Sequence, residues 1–128
     1  MAQVKIYALR TVLEHQRETI SDAVHAAVVD ALEYPIEKRF HRFFPLEPED
    51  FVFPPDRSER YLILEIIMFQ GRSVEAKKKL IRTLFERLGR AGFQNQDVEI
   101  TILESPKHDW GIRGVPGDEL TLSYRVEV

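Results

Sequence analysis

The chain contains no cysteine. That excludes disulfides, thiolate nucleophiles and thiolate metal sites, and it suits a reducing compartment. No apolar run approaches the roughly 20 residues that a helix needs to span a bilayer. The opening Met1-Ala2-Gln3-Val4-Lys5 lacks the apolar core and small-residue cleavage site of a signal peptide. A cytoplasmic protein with no membrane partner is therefore expected. Positive charge is not in excess: 18 Lys and Arg face 21 Asp and Glu, for a net charge of −3. A nucleic-acid partner is not expected from that balance. No glycine-rich phosphate loop is present, because Gly111-x-x-Gly114 is too short and follows no suitable strand. His15, His25, His41 and His108 lack ligand spacing, so neither a metal nor a cofactor is expected.

The rest of the composition is that of an ordinary folded protein. The chain has 128 residues, 44% hydrophobic and 30% charged, which suits one domain over 1–128 with its own core. Val4, Ile6 and Ala8 alternate with Lys5, Tyr7 and Leu9, which predicts a first strand. Thr11-x-x-Glu14 has the pattern of a capping box for a helix. Ile20, Val24, Ala27, Val28, Ala31 and Leu32 then fall at helical spacing, and Pro35 ends that helix. Phe40 to Phe44 reads as a short strand. Pro45 to Asp56 holds four prolines and four acids and reads as a surface loop.

Tyr61 to Phe69 is almost wholly apolar, which predicts a central strand covered on both faces, or on one face with a partner subunit on the other. Gly71-Arg72-Ser73 is a turn ending in an N-cap serine. Leu80, Ile81, Leu84, Phe85 and Leu88 form the buried stripe of a second helix, and Gly89 and Gly92 mark its end. Val98, Ile100 and Ile102 alternate as a further strand. Leu120, Leu122, Tyr124, Val126 and Val128 alternate as a last one.

The order is a weak internal repeat of β-α-β, over 2–58 and 59–104, followed by a tail over 105–128. Two such units with right-handed crossovers predict an α/β (α+β) fold: one four-stranded sheet with both helices on one face. The other face carries apolar residues and is expected to be covered by oligomerisation. The alternating tail suggests a donated edge strand.

Phe69-Gln70-Gly71-Arg72-Ser73-Val74-Glu75-Ala76-Lys77, following an apolar strand, resembles the strand-to-helix opening of 4-oxalocrotonate tautomerase. Ala2 to Leu9 with its following helix resembles the first unit of the two-unit malonate semialdehyde decarboxylases. Asp97 to Ile100, and Asp109-Trp110-Gly111-Ile112-Arg113-Gly114, resemble the last core strand and tryptophan loop of that group. The chain is thus similar over nearly its whole length to the tautomerase superfamily. The resemblance implies a homotrimer with sites near subunit boundaries and cofactor-free chemistry by an amino-terminal proline.

That proline is absent, and Ala2 stands in its place. A processed Ala2 would offer an α-amine as a weak base or Schiff-base nucleophile; otherwise Ala2 simply starts a strand. Gln70 replaces the first of the family's two carboxylate-binding arginines and Arg72 matches the second. Lys38 stands where relatives carry an aspartate. Lys38, Arg39 and Arg42 could compensate as a basic cluster beside the Phe40 to Phe44 strand, or they could mark a charged edge strand. On a strand, Arg39 and His41 point one way and Lys38, Phe40 and Arg42 the other.

Trp110 is expected to wall the pocket or to anchor the core. His108 and Asp109, as neighbours, make a poor dyad. Glu65, an acid within an apolar strand, needs a partner, and an arginine is expected, within the chain or across a subunit boundary. Two functions follow. One is a cofactor-free isomerase or lyase acting on a small 2-oxo or enol carboxylic acid. The other is a trimeric binding or scaffold protein that kept the fold and lost the base.

Overall fold

The computed structural model describes residues 2–128. Met1, whose removal or retention decides what stands at the start of the first strand, lies outside the described residues. Strand β1 runs over Ala2–Leu9 and passes directly into helix α1, Arg10–Leu32. Strand β2 is His41–Leu46 and β3 is Leu62–Phe69. Helix α2 spans Val74–Arg90, and β4 spans Val98–Ser105. The sheet order is β2-β1-β3-β4. β1 is parallel to β2, β3 is parallel to β4, and the central pair β1 and β3 is antiparallel. These are the two expected β-α-β units, joined edge to edge.

The strand alternation sorts the core. Val4, Ile6 and Ala8 of β1 and Leu62, Leu64, Ile66 and Met68 of β3 are buried on one face. Both helices cover that face with Leu13, Ile20, Val24, Ala27 and Leu32 from α1 and Leu80, Leu84 and Leu88 from α2. Each such leucine stabilises the fold by about 1.5–3 kcal/mol relative to an exposed one. Ser73 caps α2 as expected, accepting a hydrogen bond from the Ala76 N–H at 3.1 Å. α1 differs. Its N-cap is Leu9, no side chain caps it, and Thr11 already lies inside the helix. The chain turns from strand to helix without the loop that a capping box needs. At its other end Glu33 takes a left-handed conformation (φ 51°) and closes the helix before Pro35.

No helix among the described residues is long and apolar enough to cross a membrane. The second sheet face carries no helix. Tyr7, Ile63, Glu65, Ile67 and Leu103 lie there, and Leu103 is 44% exposed. Tyr7 stacks on Phe44 at 4.7 Å and donates its hydroxyl to Glu65 at 2.8 Å. Within the chain, the partner of Glu65 is thus a tyrosine. The tail also departs from expectation. After a small hairpin, β5 (Gly111–Ile112) with β6 (Val115–Pro116), residues 120–128 form no strand. Their apolar residues Leu122, Tyr124 and Val126 instead pack on Phe69, Trp110 and Ile112 of the same chain. The alternation is real, but it serves side-chain packing and not a hydrogen-bonded ladder.

Candidate active site

The antiparallel pairing of β1 with β3 sets Ala2 beside Met68. The start of the first strand therefore meets the end of the third, and the turn after β3 carries Arg72. Arg72 is 5% exposed. One terminal nitrogen, Nη1, donates to the Phe69 carbonyl at 3.3 Å. Nε and Nη2 are buried and have no hydrogen-bond partner. Burial holds the guanidinium pKa below its ordinary value, while Tyr124, Tyr34 and Glu104 oppose that shift. No carboxylate pairs with Arg72 in the described residues, and Glu104, which bears on it electrostatically, is bonded to Lys77 at 2.8 Å. An arginine enclosed in this way is costly unless something occupies its donors.

Two tyrosines complete the cluster. The backbone N–H of Ala2 donates to the Tyr34 hydroxyl at 3.1 Å. Tyr34 meets Tyr124 edge to face, with ring centroids 4.9 Å apart. The Tyr124 hydroxyl lies close enough to Tyr34 and to the Arg72 guanidinium to bear on both electrostatically. Burial is the main reason that both phenol pKa values are raised, so both remain neutral at physiological pH. Neither tyrosine carries a signal in the sequence. They lie far apart along the chain, and only the packing of residues 120–128 brings them together. Glu33, Tyr34, Pro35, Ser123, Tyr124 and Arg125 line a cleft of about 320 Å³ at this place.

The other expected site residues are scattered around the same sheet end. Trp110 packs on Phe69 at 5.0 Å and donates its indole N–H to the Ser105 hydroxyl at 2.8 Å. It walls the socket that receives Val126. Arg39 donates to Asp22 at 2.7 Å, toward α1. Arg42 reaches the Gln3 side chain at 3.2 Å and is exposed. These two arginines and Gln3 line a separate cleft of about 380 Å³ with Phe40 and His41, and neither arginine joins Arg72. Lys38 lies in the turn after α1, where its N–H donates to the Pro35 carbonyl at 3.1 Å. Gln70 is exposed. His108 and Asp109 are exposed with 3.5 Å between Nε2 and Oδ1, a geometry without a third partner. No group of three metal-ligating acidic or histidine side chains occurs among the described residues.

A pair of histidines lies behind the Arg39 cleft. His41 Nδ1 is 2.8 Å from the Ser21 hydroxyl, and His25 Nε2 is 2.6 Å from the Ile36 carbonyl. The two rings meet edge to face at 6.0 Å. Burial, with help from His25 and Arg39 and against Asp22, pushes the His41 pKa down to about 4.

Taken together, these features define a class: duplicated β-α-β proteins with an unneutralised cation buried at one end of the sheet, beside the start of the first strand. The family model described as "Tautomerase enzyme" matches residues 38–113. The chain belongs to this tautomerase family. A probable tautomerase, YusQ, of Bacillus subtilis (strain 168) is 22% identical over 99 residues, covering 73% of this chain and 78% of the relative. A 2-hydroxymuconate tautomerase of Comamonas testosteroni is 40% identical over 57 residues, 44% of this chain and 90% of the relative. Among solved structures, a malonate semialdehyde decarboxylase superposes with a TM-score of 0.81 at 25% identity, over 92% of this chain and 99% of that one. A native fused 4-OT superposes with a TM-score of 0.80 at 20% identity, over 92% of this chain and 98% of that one, which speaks to fold alone.

Proposed function

We propose that this protein is a cofactor-free isomerase or lyase acting on a small 2-oxo or enol carboxylic acid. The observation that carries this reading is the pair of unpartnered donors on Arg72. Nε and Nη2 are the adjacent N–H groups of one guanidinium edge, the fork that takes a carboxylate through two parallel hydrogen bonds. One arginine with Gln70 as neighbour suits a single carboxylate group. The Ala2 nitrogen lies at the same sheet end. Removal of Met1 would make it an α-amine, with an ordinary pKa of about 7.7–8.0 that suits proton transfer near neutral pH. Lys38, Arg39 and Arg42 are secondary anion contacts at most, since Arg39 is already paired with Asp22.

The working unit in this reading is one domain over 1–128, assembled as a homotrimer through the sheet face that carries no helix. Fused 4-OT proteins of this fold form trimers. The alternative is a trimeric binding protein without turnover. It is favoured by the burial of Ala2, 4% exposed, and by its N–H bond to Tyr34.

One experiment separates the two. Mass spectrometry first establishes whether Met1 is removed. NMR then follows the tag-free protein with a panel of 2-oxo, enol and 3-halo carboxylic acids. Turnover that Arg72→Gln abolishes supports the enzyme. No turnover by a fully processed chain leaves the binding protein.

A further inference from the structure

We propose that residues 120–128 form a strap closed over Arg72, and that a small carboxylate reaches the guanidinium only by displacing it. This rests on the carboxylate reading above and adds a gate to it. Three contacts place the strap. Val126 is 1% exposed in the socket of Phe69, with Trp110 alongside. Ser73 donates its N–H to the Val128 carbonyl at 2.9 Å. Tyr124 meets Tyr34 edge to face at 4.9 Å and bears electrostatically on the guanidinium. The residues on either side of Arg72 are thus both under the strap. Gly71 is so close to it that a Cβ there would lie 2.9 Å from Val126 Cγ1.

The strap is a low-stability element by construction. It has no ladder, and its backbone is tied to the body by the Ser73 bond and, at its start, by the Leu120 N–H to Gly117. Segments held by a few apolar side chains, here Val126 with Leu122 and Tyr124 beside it, and by few backbone hydrogen bonds open locally at lower free energy than the core. Beneath it lies a cation whose Nε and Nη2 are unsatisfied while the strap is shut. Tyr124 offers the guanidinium a neutral phenol, a weaker partner than an anion. The closed state is therefore poised against a carboxylate, which gains two charge-assisted bonds when the strap leaves. Carboxylate binding and strap release are then one equilibrium, and the apparent affinity is reduced by the fraction of molecules open.

The full chain is titrated with pyruvate by calorimetry, and amide hydrogen exchange is followed with and without saturating pyruvate. Two variants loosen the strap by different means: Val126→Ala shrinks the plug, and Tyr124→Phe removes the hydroxyl that bears electrostatically on Arg72 and Tyr34. The expected result is faster exchange at the Ser73 amide and over 120–128 as pyruvate binds. Removing two buried methyl-sized groups from the plug shifts the open fraction enough for Val126→Ala to bind about tenfold tighter. Tyr124→Phe shifts in the same direction. If pyruvate binds but strap exchange is unchanged or slowed, and neither variant alters affinity, the strap proposal is overturned and the carboxylate reading stands. If neither the parent nor either loosened variant binds pyruvate, both are overturned.

Discussion

Lowering the pH should destabilise this protein through His41. Its ring is held neutral down to about 4, against 6.5 for the unbound side chain. The unfolded chain therefore takes up a proton as pH falls through 6.5, and the folded chain does not until about 4. Between those limits the unfolded state binds more protons, so stability falls with falling pH, and the loss ends below about 4. The gap between 6.5 and about 4 corresponds to about 3 kcal/mol before solvent screening. His41 keeps partial contact with solvent, and screening brings the expected loss to about 2 kcal/mol. The groups that face the ring are Ser21, His25, Arg39 and Asp22. Of these, Asp22 works against the shift. The assay is urea denaturation at pH 7.5 and 4.5, at matched protein concentration, for the parent and for His41→Gln. Glutamine can still bond to Ser21 but does not titrate, and the carboxylates common to both proteins cancel in the difference. The parent should lose about 2 kcal/mol more than the variant. Equal losses would refute the reasoning.

Other expectations follow from single contacts. Arg72→Met replaces a buried cation with an apolar chain of similar length, so the urea midpoint should rise while pyruvate binding in calorimetry is lost. Ser73→Ala removes the cap on α2 and should lower stability by about 1 kcal/mol in the same assay. Ile67→Lys places a charge in the middle of the sheet face that carries no helix. Sedimentation should then show dissociation toward the monomer, and an unchanged sedimentation coefficient would argue against that face as the interface.

The fold was legible because each element repeats a simple period. Alternation in β1 and β4, the unbroken apolar run of β3 and the leucine stripe of α2 all match what they become. Ser73 was legible because a cap is a local device. Thr11 misled because the capping pattern does not encode whether a loop precedes it. The tail misled for a related reason: Leu122, Tyr124 and Val126 alternate in either a strand or a side-chain plug, and only the socket at Phe69 decides. At the site, the sequence singled out Arg72 but not its burial. Tyr34 and Tyr124 were silent, since their meaning arises from a contact between the end of α1 and the strap. Glu65 was rightly marked as needing a partner, but Tyr7, directly across from Ile63 two pairs along the ladder, had no feature to announce it.

The antiparallel pairing of β1 and β3 gives the sheet an approximate twofold axis, with one β-α-β unit on each side. Every feature at one end then has a rough counterpart at the other. Arg72 follows β3, and Arg10 follows β1. Arg10 is exposed and held by two carboxylates, Glu14 and Glu47, whereas Arg72 is enclosed and has none. The start of β3 is likewise tied down, with Ser58 bonded through its N–H to Asp97 at 2.7 Å and Arg57 to Glu99 at 2.8 Å. The near-symmetry is broken most plainly in charge. One end has its cation neutralised and its loops laced together, and it can serve as the anchor for the sheet. The opposite end carries the same kind of cation without a counter-ion among the described residues, and so it is left with a demand that something outside the chain can meet.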